Sequence, residues 1–299
     1  MKNATLNDYK ARILRVMVHI ERNLDTSLPL AELARVACFS PFHFHRIFRG
    51  MTGESVAEYV RRLRMERAAR QLRTGKETIL AVALEAGFES HEAFTRSFRS
   101  VFGQTPSCFR QAFPDPRAEA PSGVHYREPP SRRFRTQSRG GRMKAEIKKM
   151  QPMRVAYLRH VGPYNEVGPT WDRLTMLLGK EGYLAGNPMI LGLCHDDPEV
   201  TEPAKIRYDA CVTVDESFEP IEGIEVQTIA GGDYAVTLHK GSFDGLGRTY
   251  AELYGQWIPR AGREVRNAPA FEVYLCNPDE TPEEERLTEI YAPLEEVAQ

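Results

Sequence analysis

The sequence predicts a multidomain protein in which an all-α domain is followed by an α+β domain, and two internal repeats carry this prediction. In the first repeat, a segment that begins at Ser40 recurs at Ser90 within a helical pattern. In the second, residues 146–215 align with residues 225–294 at a shift of 79 without a gap. At 299 residues the chain is long enough for two domains, each with its own core.

Charge divides the chain in the same way. The formal net charge is +7 over residues 1–113, +4 over residues 114–142 and −12 over residues 143–299. A basic first half joined to an acidic second half favours a nucleic-acid-binding module attached to a domain of another kind. Unevenly charged solvated surfaces are the alternative interpretation.

Several classes of protein are excluded by features that the sequence lacks. It has no run of about 18 apolar residues, which a transmembrane helix needs. Its N-terminal stretch lacks the apolar segment of a secretory signal. Five cysteines without C-x-x-C spacing predict neither a disulfide framework nor a zinc site. We therefore expect a cytoplasmic protein without a metal or another cofactor.

Residues 1–113 have the pattern of helices throughout. Apolar residues recur at helical spacing over residues 13–24. Ser55 and Glu58 form a capping-box pattern at the start of a long helix. A threonine–proline pair at 105–106 predicts the N-cap and first turn of a last short helix.

The repeated segment reads SPFHFHRIF from residue 40 and SHEAFTRSF from residue 90. Each copy follows a short helical stretch and a turn. This is the helix-turn-helix plan, in which the second helix enters the DNA major groove. Phenylalanines form the core stripe of both second helices, so the positions around that stripe are predicted to contact DNA. These candidates are Ser40, Phe42, His43, His45, Arg46, Arg49, Ser90, His91, Glu92, Thr95, Arg96 and Arg99.

Two pairs of these candidates have another interpretation. His43 and His45 stand two residues apart, so on a helix their side chains point different ways and a metal site is not expected. Arg46 and Arg96 could be surface charge. They recur at the same helix position, however, in a repeat that otherwise keeps only core residues, which favours contact with bases or phosphates.

Residues 8–113 resemble the DNA-binding domain of the AraC/XylS family of bacterial transcription regulators. The stretch from Gly87 to Arg110, GFESHEAFTRSFRSVFGQTPSCFR, follows that family's signature almost position for position. The resemblance implies double-stranded promoter DNA as a partner and RNA polymerase as a possible one. It also implies two recognition helices in successive major grooves, about 34 Å apart. Cys38 stands where the family usually has glycine, which predicts a slightly different first turn.

Residues 114–142 contain five prolines followed by SRRFRTQSRGGR, and they are poor in apolar residues. This composition predicts a mobile tether between the two domains. Its arginines could touch DNA phosphates, but a solvated linker is the default interpretation.

Residues 143–299 form the predicted α+β domain, in which a strand-strand-helix-strand-strand unit occurs twice. Two such halves would pair about a pseudo-twofold axis, giving a sheet with helices on one face and a central cleft. His160 and His239 occupy equivalent positions just before a glycine turn. A catalytic pair is one interpretation, but a symmetric pair at turns is more often structural, and no catalytic residue is predicted.

The His-x-Gly-x-aromatic signal in both copies resembles the GyrI-like small-molecule-binding domain. So do the stretches YDACVTVD and FEVYLCNPDETPEEERLTEIYAPL, and the likeness covers residues 143–294. It implies an effector pocket at the twofold, lined by aromatic residues and often used for cationic or amphipathic compounds. The effector-binding residues that it implies are Trp171, Tyr208, Phe271, Glu272 and Tyr274.

The internal alignment gives Glu272 a second argument. At the shift of 79 its counterpart is Leu193, which suggests that the position faces an apolar interior. A buried unpaired carboxylate is costly, and Tyr274 lies on the same face of the strand. Glu272 is therefore predicted to receive a cationic ligand. The alternative is an edge strand that leaves Glu272 in water.

Together these features predict a DNA-binding transcription regulator controlled by a small-molecule effector in its C-terminal domain. Two other functions stay open. In one, Glu272 and nearby tyrosines act as an acid–base pair that hydrolyses reactive small molecules. In the other, the acidic domain binds a basic protein partner.

Overall fold

The computed structural model describes residues 2–137 and 143–296. These residues divide into two compact units, of which one contains residues 7–137 and the other contains residues 143–296 together with residues 2–6. Within these ranges, none of the helices combines the length and the apolar character that a bilayer crossing requires.

The N-terminal unit confirms the prediction of two helix-turn-helix motifs. Its helices are α1 (Lys2–Arg22), α2 (Leu30–Ala37), α3 (Pro41–Thr52), α4 (Val56–Thr74), α5 (Ile79–Glu85), α6 (His91–Phe102) and α7 (Pro106–Ala112). The first motif is α2–α3, the second is α5–α6, and α4 connects them. Helices α3 to α7 begin at hydroxyl side chains that accept a backbone N–H bond, namely those of Ser40, Ser55, Thr78, Ser90 and Thr105.

The turns of both motifs contain a residue in the left-handed region, although only the second has glycine there. Cys38 has a φ of 55° and Gly87 a φ of 84°, both in the left-handed region. The Phe39 N–H donates to the Ala34 carbonyl and the Phe88 N–H donates to the Ala83 carbonyl, each at 3.0 Å. The cysteine thus accepts the left-handed conformation that glycine adopts freely. The two turns differ in length, because Ser40 follows Cys38 by two residues and Ser90 follows Gly87 by three.

Residues 114–137, here called the docked segment, pack against the N-terminal unit although they form no helix or strand. Ser122 and Val124 are 0% and 1% exposed. At the end of the segment, the Gln137 N–H donates to the carbonyl of Met51 in α3 (2.9 Å). The prediction of a mobile tether is wrong for these residues. The rest of it, residues 138–142, lies outside the described residues.

Buried carboxylates of the helical bundle explain the docking. Glu66 of α4 is 1% exposed and accepts hydrogen bonds from the N–H groups of Ala118 (3.0 Å) and Tyr126 (2.7 Å). Glu21 and Glu54 are also buried and accept hydrogen bonds from the segment. Composition could not reveal this, because the acceptors lie on helices far away in the sequence.

The C-terminal unit is an eight-stranded antiparallel sheet over the described residues. Its strands are β1 (Ala145–Met150), β2 (Met153–Val161), β3 (Ile190–Cys194), β4 (Arg207–Thr213), β5 (Glu225–Ile229), β6 (Gly232–Lys240), β7 (Ala270–Tyr274) and β8 (Leu287–Pro293). The order β1-β6-β8-β7-β3-β4-β2-β5 makes β3 and β7 the central pair. The two predicted copies meet there, at the pseudo-twofold.

Helix α8 (Gly168–Lys180) of the first copy packs on one face of the sheet. Its Leu174 and Leu178 are buried against Ala210 and Val212 of β4. The opposite face has its own apolar core, to which β3 contributes Leu191 and Leu193. Cys211 of β4, which lies between Ala210 and Val212, also enters this second core, because side chains alternate between the two faces along a strand.

The second copy contains one extra residue, and the structure shows where it lies. Strands β2 and β6 keep the shift of 79, but the register pairs of the later strands require a shift of 80. The extra residue falls in a π-helical turn, Leu253–Trp257, between α9 (Leu246–Glu252) and α10 (Ile258–Ala261).

The gapless alignment is therefore wrong beyond the π-helical turn. The counterpart of Glu272 is Gly192 rather than Leu193, because Gly192 pairs with Ala210 as Glu272 pairs with Ile290.

Candidate effector site and nucleic-acid interface

Glu272 occupies the centre of the sheet, on the face that α8 covers. It lies in β7 directly opposite Gly192 of β3, and it is 6% exposed. The Tyr250 hydroxyl donates to Oε1 (2.9 Å) and the Tyr274 hydroxyl donates to Oε2 (3.0 Å). Because β7 is a central strand, the alternative of an edge strand with Glu272 in water is wrong.

A chain of donors leads to this carboxylate. The Trp171 indole N–H donates to the Tyr208 hydroxyl (3.1 Å), which lies 2.9 Å from the Tyr274 hydroxyl. Since Tyr274 gives its proton to Glu272, Tyr208 donates to Tyr274. Burial raises the pKa of both Tyr208 and Tyr274 well above the ordinary value, so the phenols remain neutral donors.

Aromatic rings surround the carboxylate. The Trp171 ring lies 5.9 Å from the Tyr274 ring between centroids, and the Phe243 ring lies 5.8 Å from it on an edge-on contact. The Tyr164 ring makes a similar contact with Tyr208, at 5.7 Å. A carboxylate among aromatic rings is a suitable environment for a cation with apolar substituents.

Four of the five predicted effector residues meet here, and Phe271 does not. Its side chain points to the opposite face, where it stacks on Tyr291 at 4.4 Å and contacts Tyr234. The reason is the alternation of side chains along β7, which places Phe271 and Glu272 on different faces. The assignment of Phe271 to the effector site is therefore wrong.

Two further residues of the site were missed by the sequence reasoning. Tyr250 donates directly to Glu272, and the Cys194 Sγ lies 3.6 Å from the carboxylate. The internal alignment contained the signal for Tyr250, because it pairs Tyr250 with Trp171. Cys194 gave no such signal, since its position follows from the register of β3 against β7.

The two symmetric histidines stabilise turns, as predicted. His160 Nε2 donates to the Pro163 carbonyl (3.1 Å), and His239 Nε2 donates to the Ser242 carbonyl (3.0 Å). Each ring thus closes the turn that follows its strand. Among the described residues, no group of three or more His, Cys, Asp or Glu side chains is arranged to hold a metal ion.

Asp209 anchors β4 from the face opposite the site. It is 0% exposed and accepts hydrogen bonds from Arg159 (2.7 Å), His195 (2.7 Å) and Gln227 (2.9 Å). Burial opposes ionisation, but these donors outweigh it and hold the pKa of Asp209 well below its usual range. The network holds β4 in place. Tyr208, the residue before Asp209 in this strand, faces the candidate effector site.

The predicted DNA-contacting residues of α6 lie on its open face. His91, Glu92, Arg96 and Arg99 are exposed, whereas Thr95 is half-buried. On the other side Phe94 and Phe98 are buried in the core of the second motif. Ser90 and its counterpart Ser40 serve as the N-caps of their helices.

Helix α3 differs from α6 in accessibility. Its residues His43, His45 and Arg46 are 2%, 3% and 6% exposed. The Arg46 guanidinium lies over the Phe42 ring at 4.4 Å. The expectation that these three side chains are open to DNA is therefore wrong for this structure, and their contact with DNA stays a prediction that requires them to become exposed.

Both parts of the chain match the models of known protein families. Residues 143–295, just over half of the chain, match the model of the GyrI-like small molecule binding domain. Residues 33–112 match the model of a helix-turn-helix domain.

Individual relatives match over single parts of the chain. The transposon Tn10 TetD protein of Escherichia coli is 43% identical over 96 residues, which are 32% of this chain and 70% of that protein. The right origin-binding protein of Escherichia coli K12 is 36% identical over 104 residues, which are 34% of this chain and 36% of that protein. The matched region thus spans about a third of the length of this second relative.

Among solved structures, the EcmrR C-terminal domain is similar over 52% of this chain and 100% of that chain, with 22% identity and a TM-score of 0.43.

Proposed function

The chain belongs to the GyrI-like small molecule binding domain family and carries an AraC-type helix-turn-helix domain, and on this premise we propose that it is an effector-controlled transcription regulator. Its N-terminal unit would bind promoter DNA, and its C-terminal unit would bind a cationic or amphipathic compound at Glu272. RNA polymerase is a further partner in this proposal, and the cytoplasm is the expected location.

The environment of Glu272 is the observation that carries the proposed effector class. The carboxylate is 6% exposed, and the neutral hydroxyls of Tyr250 and Tyr274 donate hydrogen bonds to it. The ring of Trp171 lies beside Tyr208 and Tyr274 at the same site. A buried carboxylate next to aromatic rings attracts a cation strongly, because the site has a low dielectric.

A pair of ions with one shape and opposite charge tests this proposal. Tetraphenylphosphonium should bind the full-length protein more tightly than tetraphenylborate. The variant Glu272→Gln keeps the size of the side chain and removes its charge. It should weaken tetraphenylphosphonium about 10- to 100-fold and reduce the preference between the two ions. Isothermal titration calorimetry measures both affinities.

Glu289→Gln is the matched control. Glu289 lies on the neighbouring strand β8 and accepts a hydrogen bond from the Tyr291 hydroxyl on the opposite face of the sheet. This variant should leave the preference for the cation unchanged. Equal binding of both ions to the unmodified protein would refute a cation site.

A hydrolase is the second candidate, and one observation favours it. The Tyr250 hydroxyl lies 2.9 Å from Glu272, which is the geometry of a donor paired with a base. Turnover of activated ester probes by the full-length protein, lost in Glu272→Gln, would support hydrolysis. Binding of tetraphenylphosphonium without turnover of any ester would favour the sensor.

A further inference from the structure

Gly192 is the pseudo-symmetric counterpart of Glu272, and the two residues face each other across the central strand pair. The fold thus offers two equivalent positions at its twofold and places a carboxylate at only one of them. Gly192 does not have the positive φ that favours glycine. Its backbone conformation therefore does not explain why it lacks a side chain.

The neighbour of Gly192 gives the explanation. A Cβ atom at residue 192 would lie 2.3 Å from the Tyr208 hydroxyl oxygen and 2.5 Å from the nearest ring carbon. Such distances are far inside van der Waals contact, so any side chain at residue 192 would displace Tyr208. The end of the Tyr208 ring lies directly on the Gly192 backbone.

The second copy has the reverse distribution of large and small residues. The counterpart of Tyr208 is Thr288, since His160 pairs with Tyr208 as His239 pairs with Thr288. The first copy therefore combines a large residue in β4 with glycine in β3. The second combines a small residue in β8 with the glutamate in β7.

The position of Tyr208 has a consequence for Glu272. From its place on Gly192, the Tyr208 hydroxyl accepts from Trp171 and lies 2.9 Å from the Tyr274 hydroxyl, which donates to Glu272. A shift of Tyr208 by the width of a methyl group would break both of its hydrogen bonds. Tyr274 would then lose the partner that holds its hydroxyl toward the carboxylate.

We propose that Gly192 is a positioning residue of the effector site, which acts by letting Tyr208 orient Tyr274 toward Glu272. The inference rests on the proposed effector function. It explains why only one of the two equivalent positions carries a carboxylate. The other position, Gly192, provides the space that Tyr208 needs.

A double-mutant cycle of thermal unfolding tests whether Tyr208 requires glycine at residue 192 to keep its position. Gly192→Ala should lower the melting temperature of the full-length protein by about 3–10 °C, because the methyl group overpacks a closed contact. In a Tyr208→Thr background, which copies Thr288, the same substitution should change the melting temperature by no more than about 1 °C. Equal losses in both backgrounds would show that the strand itself requires glycine, and they would overturn the proposal.

A binding cycle tests the positioning role with tetraphenylphosphonium as the probe. Gly192→Ala should weaken its binding about 3- to 10-fold in the native background, the effect of losing about one hydrogen bond. It should have no further effect when residue 208 is threonine. If Gly192→Ala leaves the affinity unchanged in the native background, the positioning role is refuted.

The two cycles separate this inference from the proposed function. Failure of tetraphenylphosphonium to bind the unmodified protein would refute the cation site. The thermal cycle would still decide whether Tyr208 requires Gly192. Should Gly192→Ala fail to fold, recovery of folding by Tyr208→Thr would support the proposal, and lack of recovery would overturn it.

Discussion

The backbone at Cys38 shows the effect of a single side chain on this fold. Its φ of 55° lies in the left-handed region, where a residue with a Cβ atom is strained by about 1–2 kcal/mol. The turn between α2 and α3 nevertheless forms, because the Phe39 N–H bond and the cap of α3 at Ser40 determine it from both sides.

We expect Cys38→Gly to stabilise the protein by about 0.5 kcal/mol. The relief of strain exceeds the added entropy of the unfolded chain, which is about 0.4–1 kcal/mol for a glycine. Urea unfolding measures the difference. Cys38→Ala is the control, because it removes the thiol and keeps the Cβ atom, and it should match the unmodified protein. Equal stability of the glycine and alanine variants would contradict the strain argument.

Single residues of the effector site were predictable to different degrees. Glu272, Tyr274, Trp171 and Tyr208 followed from the family resemblance, and the structure places them together. Phe271 was misplaced because a sequence motif does not show which face of a strand each residue occupies.

At the scale of elements, the exposed face of α6 is the clearest candidate for a DNA-binding surface among the described residues. Arg96 and Arg99 are both exposed on the side away from Phe94 and Phe98. Arg96 is one helical turn nearer the N-terminus of α6, the end that contacts base edges in helix-turn-helix proteins. The two arginines should therefore have different roles.

Arg96→Ala should cost about 1–3 kcal/mol on the preferred DNA sequence and relax specificity at one position, because a bidentate contact with guanine would be lost. Arg99→Ala should weaken all sequences alike and lower the salt dependence by about one unit, as expected for a phosphate contact. Binding selections on randomised DNA, repeated at two salt concentrations, distinguish the roles. An unchanged preferred sequence for Arg96→Ala would contradict base reading.

The elements themselves were largely predictable, and the exception is informative. Capping residues and hydrophobic spacing gave the helices of the N-terminal unit, and the repeat gave the strands of the C-terminal unit. The π-helical turn at 253–257 was not predictable, because an extra residue inside a helix leaves the apolar pattern on both sides intact. The resulting error of one residue moved the counterpart of Glu272 from Gly192 to Leu193.

At the scale of the whole molecule, the docked segment 114–137 belongs to the N-terminal unit, whereas the composition predicted a free linker there. Composition predicted a tether there because it counts prolines and charges, but it does not detect the buried acceptors that the helices provide. Glu66 alone accepts three hydrogen bonds from the segment, from Ala118, His125 and Tyr126.

Glu66→Ala should destabilise the N-terminal unit by about 2–4 kcal/mol, because it removes the buried acceptor of these donors and one of the carboxylates that pair with Arg62. It should also speed trypsin cleavage at the arginines of the docked segment, which mass spectrometry of the fragments measures. Asp115→Ala is the control, since Asp115 pairs with Arg117 at an exposed site. Cleavage at the same rate in both variants would contradict docking through Glu66.

The docked segment also determines where this protein can be cut and rejoined to another. A chimaera that joins a foreign sensor after residue 113 would remove the hydrogen-bond donors that the docked segment supplies to Glu21, Glu54 and Glu66 of the transplanted bundle. A junction after residue 137 keeps these donors, so the part to transplant is longer than its helices and extends to Gln137, whose N–H donates to Met51 of α3.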